Sequence, residues 1–172
     1  YASDVFCKPS VAKQELALEV TLANPSGKDV AGELSCQAIN AKTMQVEKTF
    51  AARPVSLKAG SEQTLEIAEK WADAKLWWPD DPNLYLLRTE LKAGGQTLDA
   101  FDTTFGFREW SRDGKDFKLN GIVWHGWADC FRADTPQQWL DFYHKTNQRV
   151  MRFWGTRWLG LSLKGFGIHG TN

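Results

Sequence analysis

Apolar and polar residues alternate without interruption over residues 15–24, in the run ELALEVTLAN. Successive side chains of a β-strand point to opposite faces of the sheet, so a period of two predicts a strand that is buried on one side. The predicted inward positions are Leu16, Leu18, Val20 and Leu22, with Glu15, Glu19 and Thr21 facing outward.

Further segments follow the same period. Strands are predicted at residues 31–39, 45–50, 63–68, 85–91 and 97–107, with Leu34, Cys36, Ala38, Tyr85, Leu87, Thr89 and Leu91 as inward positions. The dipeptide Gly94-Gly95 lies between the last two strands, which is typical of a tight hairpin turn. Several short strands separated by turn signals indicate an antiparallel β-sandwich, which we place at residues 1–110.

The pattern changes after residue 110. Residues 122–125 form a short apolar run that we interpret as a barrel strand, and residues 150–154 read as another strand. Between them, Thr135 can cap a helix, Pro136 suits its first position and Gln138 completes a capping box. Strand, helix and strand in this order indicate the first units of a βα barrel. A complete barrel takes about 250 residues, so residues 111–172 are predicted to hold only its truncated N-terminal part. The fold class is therefore mostly β, a sandwich followed by an incomplete βα segment.

Charge gives no indication of a nucleic-acid partner, because 21 basic and 21 acidic side chains balance over the 172 residues. Residues 1–110 carry a net charge of −4 and residues 111–172 a net charge of +4, so the two parts could attract each other.

No apolar run reaches membrane-spanning length. The start Tyr1-Ala-Ser-Asp4 lacks the charged and apolar regions of a signal peptide, and the residues alone leave the cellular address open.

Metal and cofactor sites are not predicted. Cys7, Cys36 and Cys130 include no C-x-x-C pair; one disulfide is possible among them, but spacing does not choose its partners. His125 and His144 lack partners at ligand spacing and are interpreted as ordinary residues. Gly-rich phosphate-binding loops are absent from the sequence.

Several motifs resemble glycoside hydrolase family 2, especially its β-mannosidase-like branch. They are Leu76-Trp-Trp-Pro79 with Leu84-Tyr85, then Phe105-Gly-Phe-Arg108, then Phe117-Lys-Leu-Asn-Gly121. The resemblance implies an immunoglobulin-like sandwich that precedes a catalytic barrel. It also implies a carbohydrate substrate for the parent enzyme, the rest of the catalytic barrel as a partner, and export to the periplasm or outside the cell.

Two later stretches resemble sugar-binding segments of the same family. They are Trp127-Ala-Asp-Cys-Phe131 and Met151-Arg-Phe-Trp-Gly155. The resemblance implies that Trp127, Asp129, Arg152 and Trp154 lie at the C-terminal ends of the first two barrel strands. Asp129 would accept from sugar hydroxyls, Arg152 would orient a carboxylate, and either tryptophan would stack on a ring. The alternative is a structural Arg152–Asp129 ion pair with both tryptophans in the core.

Cleavage of a glycoside requires two carboxyl groups facing each other across the scissile bond. The family takes both from glutamates late in its barrel, and here the last glutamate is Glu109. We therefore predict no catalytic residue in this chain, which would be an inactive scaffold fragment of a glycosidase.

Two alternatives remain open. Nine tryptophans could serve as stacking platforms of a non-catalytic carbohydrate-binding module, or could mostly fill the core. Residues 155–172 resemble a segment of L,D-transpeptidases of the YkuD type, in which His169 matches the histidine of "GIHGT". The downstream "SHGC" nucleophile of that family is missing, and a fusion, an assembly error and a hybrid protein are all compatible with the join.

Overall fold

The structure is a computed structural model that describes residues 1–125, 128–129, 135–146 and 150–151. The chain divides into two compact units, Tyr1–Val123 and Trp124–Asn172. The elements are β1 (Ala2–Ser10), β2 (Glu15–Ala23), β3 (Val30–Asn40), β4 (Val46–Thr49), β5 (Arg53–Leu57), β6 (Glu62–Lys70), β7 (Tyr85–Ala93), β8 (Gln96–Phe105), β9 (Trp110–Asp113), β10 (Asp116–Leu119), β11 (Ile122–Val123), β12 (Ala128–Asp129), α1 (Pro136–Thr146) and β13 (Val150–Met151).

Two antiparallel sheets form the body of the first unit. One has the strand order β1-β2-β6, and the other has the order β4-β3-β7-β8. Strand β3 pairs with β7 along one edge, and its other edge is shared by β5 over the first half and β4 over the second. This arrangement confirms the predicted antiparallel sandwich.

The core lies between these sheets and includes the apolar inward positions that alternation predicted. On β2 the four inward side chains are at most 1% exposed. Residues of both sheets join one apolar cluster that includes Leu34, Cys36, Tyr85 and Leu87. Each fully buried aliphatic or aromatic side chain contributes about 1.5–3 kcal/mol relative to an exposed one, so this alternation supplies much of the drive for folding.

A third, smaller sheet in the first unit has the order β11-β10-β9. The interpretation of residues 122–125 as a barrel strand is wrong, because Ile122 and Val123 pair antiparallel with β10. The connection is the dipeptide Asn120-Gly121, whose φ angles of 52° and 81° are both positive, as a type I′ hairpin turn requires. A further hairpin joins β9 to β10, with Asp113 paired to Asp116 across its turn.

The second unit contains a strand, a helix and a strand in the predicted order. Strands β12 and β13 pair in parallel, which requires a crossover between them, and α1 lies in that stretch of the chain. The capping box is confirmed: the Gln138 amide donates to Thr135 Oγ1 at 3.3 Å, and the Thr135 amide donates to Gln138 Oε1 at 3.3 Å. Membership of this unit in a barrel stays a prediction. Within the described residues, α1 is too short to cross a membrane.

Candidate functional site

Two segments far apart in sequence contact each other in the first unit. We call residues 75–85 the corner segment and residues 105–109 the exit segment. Leu76 and Phe107 form an isolated parallel bridge, and the Trp77 amide donates to the Phe107 carbonyl at 2.9 Å. Pro79 and Pro82 in the corner segment lack an amide donor and fix φ, so the segment bends here and does not continue as a strand.

Asn120 joins these two segments to the small sheet. Its side-chain nitrogen Nδ2 donates to the Trp77 carbonyl at 2.9 Å. Its Oδ1 accepts from the Glu109 amide at 2.9 Å, and its own amide donates to the Glu109 carbonyl at 2.8 Å. The residue is only 8% exposed, so an unmet side-chain group here would be costly.

Glu109 ties the exit segment to the connection between β1 and β2. Its Oε2 accepts from the Ala12 amide at 3.0 Å and from Ser10 Oγ at 3.2 Å. The hydrogen bond from the Ala12 amide is the main reason that the pKa of Glu109 lies below its ordinary value, with further help from Ser10. The carboxylate is therefore a structural acceptor, ionised at neutral pH.

An aromatic cluster supports the corner from the core side. Trp71 meets Tyr85 edge-on at 4.9 Å between ring centroids and Phe107 at 5.3 Å, while Phe105 stacks on Tyr85 at 5.4 Å. Such pairs add about 0.5–1.5 kcal/mol beyond their buried area. The Lys75 amide donates to the Tyr85 hydroxyl at 2.8 Å, and burial raises the pKa of Tyr85 to about 12.

The backbone at Gly106 makes a close approach to the corner. A Cβ at this position would lie 3.2 Å from the Asn83 carbonyl oxygen and 3.3 Å from both Leu84 Cδ2 and Trp77 Cβ. Asn83 is itself held by a hydrogen bond from Nδ2 to the Leu76 carbonyl at 3.0 Å. A glycine in the exit segment therefore allows the two segments to pack.

The tryptophans of the first unit have different environments. Trp71 is buried, at 5% exposure. The guanidinium of Arg108 lies over the ring of Trp77 at 4.8 Å from its centroid, which leaves that face unavailable to a sugar. Trp110, in contrast, is 48% exposed.

Every described carboxyl group with a shifted pKa has a lowered pKa, and a hydrogen bond is the largest cause in each case. They are Asp29, Glu69, Asp102, Glu109 and Asp113. A general acid for glycoside cleavage needs the opposite shift, so these groups are suited to binding cations and amides.

Two thiols of the first unit are equally unsuited to nucleophilic chemistry. Cys7 and Cys36 are free, and burial raises their pKa values to about 12 and about 11. A protonated thiol is a poor nucleophile. Cys130 lies outside the described residues. Among the residues that are described, no group of three or more His, Cys, Asp or Glu side chains could hold a metal ion.

The residues predicted to bind sugar are not tested by this geometry. Trp127, Arg152 and Trp154 lie outside the described residues, and so does His169. Asp129 ends β12, where only the backbone is described.

Sequence reasoning passed over the three residues that organise the corner most directly. Trp71, Glu109 and Asn120 were not singled out for their contacts. For Asn120 a signal existed, because Asn-Gly between apolar residues is a strong local hairpin indicator. For Trp71 and Glu109 the partners are distant in sequence, and periodicity cannot reveal them.

Comparison with known proteins identifies a family match over most of the sandwich. The sequence model of "Glycosyl hydrolases family 2" matches residues 1–108. A curated "Putative beta-glucuronidase" of Formosa agariphila is 26% identical over 130 residues, which is 70% of this chain and 12% of that protein.

Solved structures show the same fold. A β-galacturonidase of that family from Eisenbergiella tayi, bound to galacturonate, matches with a TM-score of 0.71 at 21% identity, over 91% of this chain and 29% of its own. A β-glucuronidase from Bacteroides uniformis matches with a TM-score of 0.67 at 21% identity, over 90% of this chain and 20% of its own. The chain thus spans less than a third of the length of each of these relatives.

Proposed function

We propose, from the premise that this chain belongs to glycosyl hydrolases family 2, that it is the sandwich part of a larger glycoside hydrolase. In that role it fixes the point at which the polypeptide leaves the sandwich and contributes no catalytic acid or nucleophile of its own. Hydrolysis of O-glycosidic bonds, with a carbohydrate substrate, belongs to the parent enzyme.

The observation that carries this proposal is the set of hydrogen bonds made by Asn120 and Glu109. Together they connect the β1–β2 connection, the corner segment, the exit segment and the end of β10. Four chain segments meet immediately before the first unit ends at Val123. Such an arrangement fixes where the chain leaves the sandwich, which is what a positioning domain must do.

The experiment is an activity measurement on the purified chain with aryl β-mannoside, β-galactoside and β-glucuronide. We expect no turnover above buffer, because the described carboxylates that are shifted are held ionised. Turnover that survives Asp129→Ala would overturn the proposal. The gene sequence after Asn172 provides a second test, since we expect glutamates on later barrel strands.

The sugar-binding role of Trp127, Asp129, Arg152 and Trp154 remains part of this proposal. It is supported by the position of Asp129, which is the last residue of β12 and lies next to β13. These strands are parallel neighbours, and βα folds bind ligands at the C-terminal ends of parallel strands. In the parent enzyme we expect Arg152→Ala and Asp129→Asn to raise KM without unfolding the protein.

A carbohydrate-binding module is the second candidate function, favoured by the exposure of Trp110. Titration of the chain with mannan or chitosan oligomers, followed by tryptophan fluorescence, separates the two. A saturable shift that Trp110→Ala abolishes supports binding, and its absence supports the scaffold. The transpeptidase hypothesis depends on residues 155–172, outside the described residues, and stays a prediction that a downstream "SHGC" motif would support.

A further inference from the structure

Glycine follows asparagine at one place in the sequence, Asn120-Gly121. In such a pair the main-chain nitrogen of the glycine attacks Cγ of the asparagine, because no Cβ on the glycine obstructs the approach. The N–Cγ bond forms, the Cγ–Nδ2 bond breaks, and ammonia leaves with the proton of the glycine nitrogen. Water then opens the cyclic imide at either carbonyl and gives aspartate or isoaspartate. Asparagine is therefore one of the thermolabile residues.

The two halves of this pair have different surroundings. Gly121 is exposed, and nothing lies within 4 Å of its Cβ position. Asn120 is only 8% exposed, and both ends of its side-chain amide are bonded. Nδ2 donates to the Trp77 carbonyl at 2.9 Å, and Oδ1 accepts from the Glu109 amide at 2.9 Å. The folded chain therefore restrains the reaction through the asparagine side chain.

These two hydrogen bonds oppose ring closure directly. Closure moves Cγ onto the Gly121 nitrogen and removes Nδ2, so it breaks the bond to the Trp77 carbonyl and displaces Oδ1 from the Glu109 amide. A buried carbonyl and a buried amide are then left unmet, which is costly. The reaction therefore requires the corner segment, the exit segment and the β10–β11 turn to separate first. Its rate follows the fraction of molecules in which this local opening has occurred.

We infer that Asn120 is a modification site, protected from deamidation in the folded chain and deamidated when the corner opens. Aspartate has no donor for the Trp77 carbonyl and places a second acceptor beside it. Isoaspartate adds one carbon to the main chain of a tight two-residue turn. Neither product restores the native contacts, so a single opening event becomes permanent. The inference concerns the lifetime of the folded chain and does not depend on the proposed function.

The test is incubation of the 172-residue chain at mildly alkaline pH, folded and unfolded in guanidinium chloride. Peptide mass spectrometry measures conversion of Asn120, and enzymatic methylation measures isoaspartate. We expect conversion to be slower in the folded chain by on the order of tenfold or more, because two buried groups must lose their partners. Equal rates in both states, or no conversion in the unfolded chain, overturn the inference.

An exposed asparagine in the neighbouring hairpin is the matched control. Asp113→Asn places a second asparagine before a glycine, Gly114, at a side chain that is 73% exposed and that contacts Lys118. We expect the new position to react in the folded chain at nearly its unfolded rate, while Asn120 in the same molecule stays protected. Equal protection at both positions would assign the slow reaction to hairpins in general and overturn the inference.

A variant that loosens the corner provides the second measurement. In the folded state we expect Gly106→Ala, whose new methyl presses on Asn83 and Trp77, to deamidate at Asn120 several-fold faster than wild type. Gly27→Ala, with nothing within 4 Å of its Cβ position, should not change the rate. A lowered Tm of Gly106→Ala without faster deamidation would separate the reaction from the corner and overturn the inference.

The permanence of the change is measured on the product. Unfolded chain that has been deamidated is refolded, and its Tm is compared with that of unmodified chain taken through the same steps. We expect a lower Tm, and the same direction in Asn120→Asp, which reproduces one of the two products. Equal Tm values for modified and unmodified chain overturn the inference.

Discussion

The side-chain amide of Asn120 donates a hydrogen bond to the main-chain oxygen of Trp77 at 2.9 Å, across 43 residues of sequence. The same side chain accepts from the Glu109 amide. A single short side chain thereby connects the corner segment, the exit segment and the turn between β10 and β11.

Substitution Asn120→Ala is expected to destabilise the first unit. The Trp77 carbonyl and the Glu109 amide lose their partners, and each buried unmet group costs about 1–3 kcal/mol. The positive φ of 52° adds strain, because alanine tolerates the left-handed region less well than asparagine does. Urea unfolding followed by tryptophan fluorescence measures the loss.

Asn120→Gly separates the two causes, because glycine tolerates the positive φ but makes no side-chain hydrogen bond. We expect most of the loss of stability to remain in Asn120→Gly. Wild-type stability in that variant would mean that the hydrogen bonds of Asn120 contribute nothing.

Gly106→Ala should weaken the contact between the corner and exit segments. The new methyl would press on the Asn83 carbonyl and on Trp77, and overpacking of this kind costs about 1–3 kcal/mol. Gly27→Ala is the matched control, because nothing lies within 4 Å of its Cβ position. A thermal melt that shows equal Tm values for both variants would contradict the close approach at Gly106.

The lowered pKa of Glu109 predicts an acid-dependent loss of stability. A carboxyl group whose pKa is lower in the folded than in the unfolded state stabilises the fold above its ordinary value of 4.5, and this contribution disappears as the pH falls through the lowered value. Wild type should therefore exceed Glu109→Gln in Tm at neutral pH, and the difference should shrink below that ordinary value. Other titrating carboxylates are common to both proteins and cancel, so a pH-independent difference would contradict the prediction.

Tyr85 predicts the opposite behaviour at alkaline pH. Its pKa is about 12 in the folded chain, against an ordinary value of 10.0, so the unfolded state releases its proton first and stability falls as the pH rises between these values. In Tyr85→Phe this decline should be smaller, although the variant loses the hydrogen bond from Lys75. Urea unfolding at pH values from 8 to 11 is the measurement, and parallel declines in both proteins would exclude Tyr85 as the cause.

Alternation predicted the central strands and the edge strands β4, β6 and β8, but it missed the edge strands β1 and β5. On β2 every second residue is buried, and the sequence shows the same period. On β1, Phe6 is exposed and Val5 is buried, because Phe6 lies on the outer side beside Lys8. Strand β5 contains Pro54, which reads as a break, yet it pairs with β3. Edge strands are packed on fewer sides, so their sequences carry a weaker pattern.

The helix and the small sheet show where local chemistry suffices and where it does not. Thr135 and Gln138 contact each other directly, so their capping box was readable from spacing alone. Residues 122–125 look like a strand in the sequence, but which strand pairs with Ile122 depends on the turn at Asn120-Gly121. The corner depends on contacts between residues such as Ala12 and Glu109, 97 positions apart, which no local pattern encodes.

The divided outer edge of β3 has a consequence for solubility. Its neighbours β4 and β5 have four and five residues, and a proline interrupts the amide donors of the second. A second chain that approaches this edge meets two short strands separated by a gap and no long row of free donors and acceptors. Natural sheets avoid edge-to-edge association in this way. This edge of the sheet therefore offers no long template for pairing with another chain.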